Sequence, residues 1–202
     1  MTSISRIHAT IIDGMSDMTK IRLAAFLAVL FSFLLSSCVK SEQEQEPVGR
    51  SRILIENFEN DTHRSWHITG DAFSWNLATP AQLAEWGDCG YEGDHIMTGW
   101  LSGDAGTGTM ISPTFLIELP YINFLVGGGG DVENVYAALI VDGNEVFRES
   151  GSNSRTMEQV VWDVSTYVGS KAEIRLVDNS TRPWGFLMAD YFYQSSKPAI
   201  SR

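Results

Sequence analysis

Trp184 stands a few residues from Asp178, Asn179 and Arg182, and Trp100 lies between His95 and Asp104. An indole beside carboxylate, amide and guanidinium groups is the composition that holds a sugar. The CH faces of the ring stack on aromatic surface while the hydroxyls seek planar polar partners. Trp100, Asp104, Asp178, Asn179, Arg182 and Trp184 are therefore the candidate ligand-binding residues. For each of the two Trp residues core packing is the alternative, because large aromatics usually fill interiors. Trp66 and Trp162 lie inside strand patterns and are assigned to the core.

Covalent chemistry finds little support in the same chain. His63, His67 and His95 share no ligand spacing with one another or with Cys89, so no zinc pattern forms. Gly-x-Ser-x-Gly is absent, Ser150-Gly151-Ser152 has no strand-to-helix elbow around it, and the run Gly127–Gly130 lacks the Lys-Ser/Thr of a phosphate loop. That run could bring backbone close to a ligand, or mark turns and bulges at strand ends. The acid pairs Glu59 with Asp61 and Asp88 with Asp94 read as surface charge.

The elements that must carry these residues read as short strands broken by turns. Ile53–Phe58 opens a sheet, 108–117 and Tyr121–Val126 follow, and Pro120 marks the corner between them. Val135–Val141 leads through Asp142-Gly143, a strong two-residue hairpin signal, into Glu145–Arg148. Gln159–Val164 and Lys171–Asp178 add two strands. In the second, Ala172, Ile174 and Leu176 point inward and Lys171, Glu173 and Arg175 outward, a sheet with one wet face. Phe186–Tyr193 is the last strand, which allows the termini of the fold to lie side by side. Apart from a weak turn near Pro80–Trp86 nothing has helical period. The expected fold is all-β, a jelly-roll or galactose-binding-like antiparallel β-sandwich.

A 202-residue chain that is 44% hydrophobic suits one such domain. Ahead of it, Lys20 and Arg22 precede the apolar run Leu23–Leu35, which is short for a membrane span, and Leu35-Ser-Ser-Cys38 closes it. This resembles the bacterial lipoprotein signal, with Met18 as the expected start and Cys38 as the lipidated first residue of the mature protein. The expected organisation is a signal segment over 1–37, a lipidated acidic tether over 38–50, the sandwich over 51–195 and a tail over 196–202. With Cys38 carrying lipid, Cys89 has no disulfide partner. Beyond residue 37 there remain 11 Lys+Arg against 23 Asp+Glu, net charge about −12. Such a surface repels phosphate backbones and excludes nucleic acid as a partner, but not neutral sugars.

Asn57-Phe-Glu59, Trp66, Gly70-Asp-Ala-Phe73, Thr107-Gly-Thr109, the glycine run, Asp142-Gly143, Trp162-Asp163 and Val177-Asp178 through Trp184-Gly185 to Asp190 together resemble the β-sandwich that accompanies the catalytic propeller in levanases and related fructan hydrolases of glycoside hydrolase family 32. The resemblance covers roughly residues 53–192 and departs from the family pattern around 75–93. It implies an accessory module that binds or positions β-fructan or a related glycan, with no cofactor required. The propeller's catalytic motifs (Asn-Asp-Pro-Asn-Gly, Arg-Asp-Pro and Glu-Cys) are absent, so the pair of carboxyls that retaining hydrolysis needs is not encoded here. Sandwiches of this kind often carry a structural Ca²⁺ where first and last strands meet, and Glu56, Glu59 and Asp190 offer hard oxygen ligands there. Acids satisfied at strand ends are the alternative. The lipid anchor implies a place in the cell envelope, in the outer membrane of a Gram-negative bacterium, facing the periplasm or the surface. Competing readings are a structural or protein-interaction lipoprotein, and the N-terminal part of a family 32 hydrolase that docks to a separate propeller.

Overall fold

The alternation along Lys171–Asp178 is realised as strand β10, with Ala172, Ile174 and Leu176 buried at 0–1% exposure and Lys171, Glu173 and Arg175 on the outer side. In the computed structural model, which describes residues 51–75 and 77–200, β10 lies at the centre of one of two antiparallel sheets. Its sheet has the order β2 (His67–Gly70), β4 (Gly108–Ile111), β10, β7 (Val135–Val141), β8 (Asn144–Glu149), with the short β5 (Phe115–Leu116) also paired to β10. The other sheet runs β1 (Arg52–Glu56), β11 (Leu187–Ser195), β6 (Tyr121–Gly128), β9 (Ser154–Asp163), with β3 (Met97–Thr98) added to β11. The two sheets enclose the main core, and the fold is an all-β jelly-roll sandwich. The first and last strands pair as expected, Arg52 opposite Ser195. Asp142 and Gly143 both have positive φ, 49° and 83°, as a type I′ hairpin between β7 and β8 requires.

Aromatic rings fill the space between the sheets. Phe124 stacks on Phe192 at 4.7 Å and meets Trp162 edge-on at 4.5 Å, while Trp66 packs 5.8 Å from Phe58. Trp66 and Trp162 are both buried as expected, Trp162 within β9 but Trp66 just before β2, at the end of the 3₁₀ turn Asp61–Ser65. Gln194 shows how a polar side chain is accommodated in the interior. It accepts from Glu118 N–H (2.7 Å) and Leu119 N–H (3.1 Å) and donates to the Leu116 carbonyl (2.9 Å). That cost of burying an amide is offset only because all its groups are bonded.

Four expectations need correction. The stretch 108–117 is not one strand: Pro113 has no N–H to continue the ladder, and it divides β4 from β5. The strand expected at 159–164 begins at Ser154, and the last strand spans Leu187–Ser195 rather than 186–193. Around Pro80–Trp86 the turn is a short helix, α1, capped reciprocally. Gln82 N–H donates to Thr79 Oγ1 (3.4 Å) and Thr79 N–H donates to Gln82 Oε1 (2.9 Å).

Helix α1 decides which sheet face is open. Its Leu83, with Ala78, Cys89 and Ile96 from the flanking segments, packs on Leu125 of β6, Met157 of β9 and Met188 of β11, forming a second apolar cluster outside the first sheet. Strand β6 is thus buried on both faces: Phe124 and Val126 face the main core and Leu125 faces α1. The segment from Ala78 to Cys89 is therefore a packed cover. The outer face of the second sheet carries no such cover among the described residues, leaving His67, Thr69, Thr109, Tyr136, Arg148 and Arg175 on the solvent side.

Candidate functional site

The two Trp loops converge on Phe186. Trp100 sits in a 3₁₀ turn, Gly99–Ser102, whose start is fixed by Trp100 N–H donating to Thr98 Oγ1 (3.1 Å). Its ring lies 4.9 Å from Phe186, and Trp184 stacks on the same Phe186 at 5.6 Å with 28° between planes. The Arg155 guanidinium lies 5.7 Å from Trp100 and 6.0 Å from Trp86, so a cation joins the ledge. Phe186 is 3% exposed and acts as the base, whereas Trp184 is 37% exposed.

Trp184 is held in a costly backbone conformation, with φ of 64°, the left-handed region that non-glycine residues rarely occupy. Gly185 N–H closes the turn onto the Arg182 carbonyl (2.7 Å), and Gly129 N–H ties Phe186 to the end of β6 (2.8 Å). A Cβ on Gly128 would collide with the Phe186 carbonyl and one on Gly129 with that of Trp184. The glycine run is thus small because its own neighbouring backbone comes close.

The remaining sequence candidates do not assemble as grouped. His95 leaves Trp100 and binds Glu59, Nδ1 to Oε2 at 3.3 Å. Asp104 belongs with Asp178: Asp104 Oδ1 and Asp178 Oδ2 are both buried without a hydrogen-bond partner. Burial, and then the charges of Asp104 and Asp71, push the Asp178 carboxyl up to about 7, against the Ser180 N–H that favours its ionised form. Asp178 is 1% exposed, too enclosed to touch a saccharide with its carboxyl. Arg182 is exposed in the Trp184 loop, and Asn179 lies instead on a groove of the second sheet, with Thr109, Tyr136 and Arg175. Phe186, Arg155, Tyr136 and Arg175 were not among the sequence candidates. Arg155 and Tyr136 lie far along the chain from the residues they meet, while Phe186, two residues from Trp184, and Arg175, four from Asn179, were near enough in sequence to have been considered.

Glu56, Glu59 and Asp190 come to one corner, but among the described residues no three His, Cys, Asp or Glu side chains converge closely enough to hold a metal. Glu56 Oε1 accepts from the N–H groups of Asn57 (3.0 Å) and Phe58 (2.8 Å) and from Thr62 Oγ1 (2.9 Å). Glu59 Oε1 accepts from Asp94 and His95 N–H at 2.8 and 3.0 Å. Asp190 Oδ2 accepts from Glu92 N–H (2.9 Å), while Oδ1 is buried without a partner. Burial first, and then the charges of Glu59 and Glu56, push Asp190 up to about 8. A Ca²⁺ here would take the orphaned Asp190 oxygen and draw other ligands from backbone carbonyls. The three acids alone are not a ligand set. Cys89 is a buried free thiol, raised by burial. Cys38 and the proposed signal and tether lie outside the described residues.

No protein-family model matches the chain. Over 153 residues it is 33% identical to a protein of Aspergillus rugulosus named "Putative glycosyl hydrolase ecdE". The match takes in 74% of this chain but 22% of that protein, so the chain spans about a fifth of the length of the curated relative it matches. Among solved structures it is similar to a family 61 carbohydrate-binding module in complex with β-1,4-galactotriose, at 18% identity and TM-score 0.45, over 68% of this chain and 92% of the module. It is also similar to the K1 cleaved adhesin domain of Lys-gingipain from Porphyromonas gingivalis, at 16% identity and TM-score 0.44, over 70% and 96% of the two chains.

Chemically, the ledge offers stacking area with a cation and polar loop groups at its rim. It offers no exposed nucleophile or paired acid. Asp178 has the raised carboxyl of a general acid but is sealed by its surroundings.

Proposed function

We propose that this domain binds glycan reversibly and non-covalently, as an accessory module to carbohydrate hydrolysis carried out elsewhere. The observation that carries the reading is Trp184, an indole held out of the surface in a strained conformation and backed by Phe186 and Trp100. Backbone strain of about 1–3 kcal/mol persists only where the surroundings enforce it, and here it presents a flat apolar face to solvent. The match to part of a protein named as a glycosyl hydrolase supports the same reading. β-Fructan is the proposed ligand, on the levanase-like motifs. The Leu-Ser-Ser-Cys38 signal supports a lipid-anchored protein of the cell envelope, where tethering raises the local concentration of weak sites. A structural Ca²⁺ at the orphaned Asp190 oxygen belongs to the same proposal, with ligands beyond Glu56 and Glu59 needed to complete it.

The test is titration of the purified chain with levan and inulin oligosaccharides, wild type against Trp184→Ala. Loss of about tenfold or more in affinity, ~1.4 kcal/mol, is expected with melting temperature unchanged. Equal affinity in the variant would remove the ledge from the site. Release of reducing sugar from either fructan would overturn the non-catalytic assignment.

A further inference from the structure

Across the open face of the second sheet, register places Thr69, Thr109, Val177 and Tyr136 in one row, and His67, Ile111, Arg175, Ala138 and Arg148 in the next. The two rows end in a groove of about 450 Å³ at the edge where β4 begins and β10 ends, a volume in the range of small-ligand sites. Its walls include Thr109, Tyr136, Arg175, Asn179 and Asp178, whose carboxyl is turned inward and buried, with Gly70 and Gly108 as a floor of bare backbone. A Cβ at Gly70 or Gly108 would collide with the opposite strand's backbone, so the floor stays free of side chains.

Arg175 stands apart from the other arginines: like Arg182 it is unpaired among the described residues, but Arg182 is exposed and Arg175 is partly buried. Arg64 is paired with Asp61 (2.9 Å), and Arg148 with Glu145 (2.7 Å) and Glu133 (3.2 Å). Arg52 lies 3.7 Å above Tyr193, and Arg155 lies over Trp100. Arg175 has no carboxylate, ring or hydrogen-bond partner among the described residues, and its Nε is shut off from solvent with nothing to donate to. Because the Nε is enclosed by the protein, it is the terminal Nη pair that can meet a ligand in the groove, and such a fork of N–H donors is matched best by the two oxygens of a carboxylate. The neighbouring Arg148 guanidinium lies 4.1 Å over the Tyr136 ring, but its charge is answered by Glu145 and Glu133, so Arg175 alone brings an unanswered cation to the groove.

We infer that the Arg175 groove is a second saccharide site, distinct from the Trp184 ledge, and that it takes the carboxylate of a uronate unit. Arg175 grips the carboxylate, while Thr109 and Asn179 supply hydroxyl and amide partners for the ring oxygens. The inference rests on the glycan reading for the sugar ring, but on Arg175 alone for the acid.

The test is titration of the purified full chain with oligomers of galacturonate, glucuronate and mannuronate, and with their methyl esters, which keep the ring and remove the charge. At least one acid oligomer is expected to bind, its affinity falling tenfold or more on esterification and in both Arg175→Gln and Arg175→Lys. The Lys variant keeps the charge but loses the fork. Trp184→Ala is expected to leave that binding unchanged, and unaltered melting temperatures check that each variant is folded. Equal affinity for acid and ester, no loss in Arg175→Gln, or no binding of any of the three acids would overturn the groove site. Acid binding through Arg175 with no fructan binding would overturn the ledge reading alone, and the converse result would overturn the groove alone.

Discussion

At the scale of single residues, Asp178 couples the site region to pH. Its carboxyl is raised from 3.8 to about 7, so the folded chain holds a proton that the unfolded chain releases near pH 4. Stability from this group is therefore fully present below pH 4 and is lost as pH rises toward 7, the reverse of an ion-paired acid. Asp178→Asn, which stays neutral, should raise the melting temperature relative to wild type by roughly 2–4 °C at pH 8 and by little at pH 4. Thermal melts of both proteins at the two pH values measure this, and parallel profiles would show that Asp178 ionises freely. Gly129 offers a second residue-level check. Gly129→Ala should push the Trp184 carbonyl away and weaken fructan binding without touching any aromatic ring, read by the same titration.

Among the elements, α1 is a structural cover rather than a ligand loop. Leu83→Ala empties a fully buried position against Leu125 and Met188 and should cost about 2–5 kcal/mol in chemical denaturation, while leaving uronate binding at the opposite sheet unchanged. What the sequence made legible at this scale follows from local rules. The period-2 pattern placed every side chain of β10 from Lys171 to Leu176 on its observed face, and Asp142-Gly143 announced its turn through the positive φ it needs. The paired termini were foreseen too. Hidden were contacts between residues distant along the chain: Leu83 against Met188, Trp100 against Phe186, Asp104 against Asp178. Grouping loop residues by nearness in sequence put His95 beside Trp100, but the hydrogen bonds of Glu59 took it elsewhere. Alternation marked Arg175 as outward, yet only three-dimensional register shows that nothing answers its charge.

For the whole molecule, the sandwich is asymmetric: one sheet is roofed by α1 and its flanking loops, and the other faces water with a row of hydroxyl, aromatic and guanidinium groups. That division separates the α1 roof from the Arg175 groove, while the Trp184 ledge adjoins the roof through Phe186 and Trp100. The corner of Glu56, Glu59 and Asp190 tests whether an ion contributes to the stability of the whole. With Ca²⁺ bound there, millimolar Ca²⁺ should raise the melting temperature by several degrees over chelator, following the mass-action dependence on ion concentration, and Asp190→Asn should abolish the increment. Identical melts in calcium and in chelator would leave these acids as hydrogen-bond acceptors at strand ends.

The antiparallel union of β1 with β11 has a mechanical consequence. Because Arg52 and Ser195 face each other at one extremity of the ladder, traction on the two flanking segments would fall on a single rung at a time and peel the edge strand away like a zipper. A module tethered at both ends by these segments would yield at low force from that seam, well before the interior between the sheets is opened.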